Sequence, residues 1–282
     1  MKLAFIHTPK CAGTFVRVYI DEVLEKMGCG NAIFDPNFPA NEPEVIQERF
    51  GHIPHFGGRS PKKDWDEDQL NYILGYERSI NTEHSFIHNH AINWPNEIHR
   101  KYREAGWKTF TFVRALGQVM CSYYFYIKNQ AVLGELNGNK GKPNHIVYSD
   151  GWNLNVWGAP YSIIKKITLD EFLQIMLKHN DTTRKKFYIP NYWKSMDFVA
   201  PYSGENFEYF LGKYLNHDFE GKIPSHGKNL ADRGKEKLLI SGNKGYEHYC
   251  NTGEVSKKTQ KLIQENRRQK IFEEVVEKNN LK

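Results

Sequence analysis

Two stretches of this chain follow one plan: a short apolar run, a loop, then apolar residues at helical spacing. In the first, Leu3–His7 is apolar and bounded by Pro9, which predicts a buried strand. After the loop Thr8–Gly13, apolar residues fall at Val16, Tyr19, Ile20, Val23, Leu24 and Met27, one face of a helix that Gly28 and Gly30 stop. In the second, the β-branched and aromatic run Thr109–Val113 predicts a strand. Leu116, Val119, Met120, Tyr123, Tyr124 and Ile127 then repeat the helical spacing. Strands that alternate with helices build a parallel sheet, because each crossover helix returns the chain to the same edge. The expectation is an α/β fold with a central parallel sheet flanked by helices.

The rest of the chain fits around that frame. Ser85–His88 predicts another strand, and Trp94-Pro95 starts a short helix that ends near Gly106. Further helices are expected at Leu169–Lys178 and Asn206–Leu215, with a long amphipathic one over Ser256–Lys278. Residues 31–68 are rich in Pro, Asn and Gly and predict an excursion with little regular structure. The glycine-punctuated stretch Leu133–Tyr161 predicts a long surface loop or lid. No segment has the length and composition of a linker, so residues 1–282 are expected to form one domain with long loop excursions.

Composition narrows the class. At 39% apolar and 26% charged residues the chain is neither a disordered tail nor a membrane protein. The early aliphatic run Leu3-Ala4-Phe5-Ile6 is too short for a signal-peptide core or a bilayer span. Cys11, Cys29, Cys121 and Cys250 are scattered without a C-x-x-C pair, which argues for a reducing compartment. A soluble, cytoplasmic protein is expected. The net charge of +6 favours anionic partners without choosing among them, and lysines also serve solubility.

The loop His7-Thr8-Pro9-Lys10-Cys11-Ala12-Gly13-Thr14 leaves the carboxyl end of a strand and enters a helix, where α/β folds bind anions. Helix-start amides and the helix dipole favour a phosphate there. Ala12 and Gly13 are small enough to let backbone approach a ligand, Thr14 offers a hydroxyl, and Lys10 a mobile charge. The lysine precedes the glycine, so the loop is not a Walker A motif; the bland alternative is an ordinary turn with a capping threonine.

This segment, from Phe5 to Thr14, resembles the 5′-phosphosulfate loop of the Golgi-type glycan sulfotransferases. Those enzymes use 3′-phosphoadenosine 5′-phosphosulfate (PAPS). The resemblance implies a P-loop-like sheet and a cosubstrate site drawn from Pro9, Lys10, Cys11, Ala12, Gly13, Thr14 and Phe15. Within it, Lys10 would reach the bridging oxygen. Phe110-Thr111-Phe112-Val113-Arg114, followed by Cys121-Ser122-Tyr123-Tyr124, resembles the same family's 3′-phosphate element. It implies that Arg114 and Ser122 bind the 3′-phosphate, a role suited to a guanidinium and a hydroxyl. Ala115-Leu116 replaces the family's usual Asp-Pro, and Gln118 stands near a common second arginine. Ile223–Asn229 falls where these enzymes often carry a basic loop over the nucleotide, which adds Lys228.

His88 and His90 lie two residues apart, so in a strand they share a face. Nothing nearby completes a metal site with them at ligand spacing. A neutral imidazole suits removal of a hydroxyl proton near neutral pH. His88-Asn89-His90 resembles the H-G-H element of uronic-acid 2-O-sulfotransferases, with Asn89 in place of glycine. That resemblance implies a base at His90 with His88 supporting; His52 and His55 are the runners-up, and His7 reads as structural. The reaction implied is sulfuryl transfer from PAPS to a hydroxyl of a small molecule, glycan or glycolipid, leaving adenosine 3′,5′-bisphosphate, without a metal. Trp94, Trp152, Trp157 and Trp193 are available to stack on sugar rings. The competing readings are an ATP-dependent P-loop-type kinase and a non-catalytic binder of polyanions or nucleic acid, for which Tyr161 and Tyr192 add aromatic surface.

Overall fold

The computed structural model describes residues 2–28, 86–90, 96–136, 166–178, 189–219 and 244–280. The excursion at 31–68, the part of the Leu133–Tyr161 stretch beyond Leu136, and His52, His55, Trp94 and Lys228 lie outside the described residues. The first half contains β1 (Leu3–His7), α1 (Gly13–Lys26), β2 (Phe86–His90), α2 (Asn96–Glu104), β3 (Lys108–Val113) and α3 (Leu116–Leu136). The second contains α4 (Leu169–Lys178), a single 3₁₀ turn at Trp193–Ser195, β4 (Phe198–Pro201), α5 (Gly204–Leu215), α6 (Tyr246–Asn251), α7 (Lys257–Glu265) and α8 (Arg267–Asn280). These positions group into two compact units, each assembled from several chain segments.

The first unit comprises Met1–Val113, Ile189–Ala200 and Glu205–Phe219. Its sheet runs in the order β2-β1-β3-β4, and β1 is parallel to both neighbours. Every residue of β1 is buried, which explains its unbroken apolar sequence: both faces are covered. Aromatic rings form much of this core. Phe5 stacks on Phe110 at 4.8 Å, Phe110 on Phe210 at 4.2 Å, and Phe112 meets Phe198 edge-on at 5.6 Å. Each such ring contributes about 1.5–3 kcal/mol through burial. β2 continues through Asn89 and His90, two residues beyond the apolar run that predicts it, because the parallel ladder extends to His7.

Helix ends in this unit have local causes. α2 stops at Gly106, whose φ of +83° only glycine adopts without strain. Trp107 N–H then donates to Tyr102 O and Gly106 N–H to Arg103 O, while the rings of Trp107 and Tyr102 meet at 5.3 Å. That is a Schellman ending with its apolar contact. On α1, Val16, Ile20, Val23 and Leu24 are buried as the spacing predicts, but Met27 is exposed because the helix ends before it.

Asp197 staples β3 to the segment leading into β4. Its Oδ2 accepts from Thr109 N at 2.9 Å and from Thr109 Oγ1 at 3.1 Å, and its own N–H donates to Thr109 O. Thr109 spends its hydroxyl proton on Asp197, so His99 Nε2, 3.1 Å from that oxygen, is the donor to it. The His99 ring stacks on Tyr192 at 4.2 Å. Burial, reinforced by Arg103 and opposed by Asp197, lowers the His99 pKa to about 4.

The second unit comprises Arg114–Tyr188, Pro201–Gly204 and Glu220–Lys282. Leu116, Val119, Met120, Tyr123, Tyr124 and Ile127 of α3 are all buried, as their spacing requires. α3 continues to Leu136, past the point where glycine content predicts a loop. Gly117 lies against the Tyr246 ring so closely that a Cβ would stand 2.6 Å from it. Thr168 and Glu171 form a capping box at the start of α4, and Asp170 Oδ1 accepts from Ser256 N at 2.9 Å. The long helix expected over Ser256–Lys278 is two helices. Asn266 is extended, with ψ 134°, and its Oδ1 accepts from Arg268 N at 2.9 Å, so it caps α8 instead of continuing α7.

The lowered His99 pKa carries a definite sign. Between pH 6.5 and about 4 the unfolded chain binds a proton that folded His99 refuses, so stability is lost as pH falls through that window. Urea unfolding should show a loss of about 1–2 kcal/mol from this group between pH 7.5 and pH 5. His99→Gln, which keeps a donor for Thr109, should have the smaller drop; an identical drop in both proteins would contradict this assignment.

Candidate active site

β1 and β3 are adjacent and parallel, so their carboxyl ends share one edge of the sheet. The chain leaves β1 toward β2 on one side and leaves β3 toward β4 on the other. This is a topological switch point, where open α/β sheets place their ligand crevice. The loop from Thr8 to Ala12 occupies it.

That loop is unusual in its backbone. Lys10 and Ala12 both have left-handed φ values, 62° and 60°, although neither is glycine or asparagine. Each costs about 1–2 kcal/mol relative to an ordinary conformation. The fully buried Cys11 between them anchors the turn, and Cys11 N–H donates to Thr8 O at 3.2 Å. Left-handed residues alternating along a loop turn successive N–H groups toward one concave side, an anion-binding arrangement. Ala12 O accepts the first helical bond of α1 from Val16 N at 3.0 Å, which makes Ala12 the N-cap. An alanine has no side-chain oxygen to offer the first-turn amides.

The buried imidazole of His7 lies on Gly13, where a Cβ would stand 2.1 Å from Nε2. Glycine is required here for close approach. Phe15 turns its ring into an aromatic cluster with Tyr19, Phe207 and Phe219 at 5.3–6.4 Å, so the ring is engaged in packing. Pro9 and Lys10 are half-buried. For Thr14, His88 and His90 the structure describes the backbone. The register pairs His90 with His7 and His88 with Phe5, which puts His90 level with the last residue before the loop.

In the second unit, Arg114 follows the last residue of β3 and is half-buried, with its guanidinium 4.7 Å from the centre of the Tyr202 ring. Burial pushes the Tyr202 hydroxyl up to about 12, against the opposing pull of Arg114, so the phenol stays neutral. Arg268 Nη1 donates to Arg114 O, and Leu116 N donates to Gln269 Oε1 at 2.9 Å. Ser122 is half-buried two turns into α3. No local motif singles out Tyr202, Arg268 or Gln269, whose contacts with Arg114 and Leu116 are made across long stretches of chain. Among the described residues, no group of three or more His, Cys, Asp or Glu side chains could hold a metal ion. None of the described helices is long and apolar enough to cross a membrane.

No protein family, curated protein or solved structure matches this chain.

The contact between His7 and Gly13 is open to a double-mutant cycle. Gly13→Ala should destabilise the protein by about 1–3 kcal/mol through overpacking. Combining it with His7→Ala should cost clearly less than the sum of the single changes, measured by urea unfolding. Simple additivity would show that the two residues do not touch.

Proposed function

We propose that this chain is a PAPS-dependent O-sulfotransferase with a P-loop-like nucleotide site. The observation that carries the reading is the Lys10–Ala12 loop. It is a left-handed turn at the switch point of a parallel sheet, and His90 pairs with His7, the residue from which the loop departs. Strained residues held in place by the structure around them cluster at ligand-binding sites, which supports the reading.

In this reading the amides from Lys10 to Thr14 surround the 5′-phosphosulfate, helped by the amino end of α1. Lys10 stabilises charge on the bridging oxygen as its bond to sulfur breaks. Arg114 and Ser122 bind the 3′-phosphate, with Lys228 supporting the nucleotide. His90, assisted by His88, takes the acceptor's hydroxyl proton as that oxygen bonds to sulfur. The SO₃ group passes to the acceptor and adenosine 3′,5′-bisphosphate departs. Catalysis then rests on positioning and on fixed positive charge, as in phosphoryl transfer. The acceptor class is a hydroxyl on a carbohydrate, a glycolipid or a small metabolite.

Incubation with radiolabelled PAPS and a panel of sugars, glycolipids and small alcohols should label at least one acceptor. Lys10→Ala should lower turnover by about 100- to 1000-fold, the effect of removing one oxyanion-type donor. His90→Ala should lower it by about 100-fold or more. Strong thermal stabilisation by ATP with Mg²⁺, and none by adenosine 3′,5′-bisphosphate, would favour the kinase reading instead.

A further inference from the structure

An arginine at the end of a strand is a useful anion receptor only if its backbone is fixed, because a guanidinium on a mobile turn loses rotamer entropy on binding. Where Asp-Pro follows such an arginine, the proline presets the first helical φ. Here Ala115-Leu116 supplies no such constraint. The turn is instead held from α8. Arg268 and Gln269 are adjacent in its first turn and are only 4% and 8% exposed. Arg268 Nη1 donates to the carbonyl of Arg114, and Gln269 Oε1 accepts from the amide of Leu116 at 2.9 Å. That amide is one of the unsatisfied donors at the start of α3, so Gln269 acts as a cap supplied from another helix.

The orientation of the cap is fixed as well. Gln269 Nε2 donates to Glu273 Oε1 at 3.0 Å, which turns the amide oxygen toward Leu116. Asn266 Oδ1, by accepting from Arg268 N, sets where α8 begins. The Arg114 guanidinium lies over the Tyr202 ring, 4.7 Å from its centre. A cation over an aromatic ring is attracted by the ring's quadrupole, which restrains where the guanidinium sits.

We infer that Tyr202 and Gln269 are positioning residues that hold Arg114 as a receptor for a phosphate monoester. The assignment rests on the sulfotransferase reading, which gives Arg114 the 3′-phosphate of the nucleotide. Tyr202 supplies an aromatic ring beneath the guanidinium and Gln269 the fixed turn; neither touches the ligand.

The test compares the affinities of adenosine 3′,5′-bisphosphate and adenosine 5′-phosphate by calorimetry. Wild-type protein should prefer the bisphosphate at least tenfold, and Arg114→Ala should remove that preference. Tyr202→Leu should weaken bisphosphate binding about 5- to 20-fold and leave adenosine 5′-phosphate within twofold, while Tyr202→Phe should retain wild-type affinity for both. Gln269→Leu should act in the same direction as Tyr202→Leu. Affinity for the monophosphate reports whether each variant is folded. Equal losses for both nucleotides, or an unchanged bisphosphate affinity in Tyr202→Leu and Gln269→Leu, would overturn the positioning role. A wild-type protein that shows no preference for the bisphosphate would instead remove the reading beneath it, and the inference with it.

Discussion

Burial of Leu3–His7 between two parallel neighbours leaves the chain almost no freedom as it exits the sheet. His7, still inside the core, lies flat on Gly13, and Cys11 is sealed beneath the surface four residues later. Between those fixed points the backbone has to reverse within a few residues. It does so by placing Lys10 and Ala12 in left-handed conformations. The strain in the loop is therefore a consequence of anchoring at both ends, and the burial that anchors it must exceed about 2–4 kcal/mol. Well-buried β1, with its stacked phenylalanines, provides such anchoring.

The parts of this architecture that depend on burial pattern were legible in the residues. Six apolar positions of α3 predicted from spacing are all in the core, and four of the six on α1. What escaped the pattern was decided by single polar groups. Asn266 reads as an ordinary helix residue in a long amphipathic stretch, yet its side chain prefers to cap Arg268 and breaks the helix in two. Asn89 and His90 carry no apolar signal, and only pairing with Ile6 and His7 keeps them in the strand. The candidate residues divide in the same way. The β1 loop and Arg114 are singled out by local motifs of glycine, lysine and arginine. The contacts of Tyr202 and Gln269 leave no local signal, since they reach Arg114 and Leu116 across 88 and 153 residues of chain.

In the proposed function the β1 loop and Arg114 would attract anions by different forces. At the β1 loop the attraction would come from oriented amides and a helix dipole, which act over short range and require close backbone approach. At Arg114 it would come from a full charge, which acts at longer range.

The proposed function requires the left-handed β1 loop to bind adenosine 3′,5′-bisphosphate through its main chain. NMR titration of isotopically labelled protein with that nucleotide reads this binding residue by residue. The backbone amides of Lys10, Cys11 and Gly13 should shift along one saturation curve with a single dissociation constant. Amides that stay still at saturating nucleotide, while the protein elsewhere responds or nothing responds, would rule the loop out as the nucleotide site.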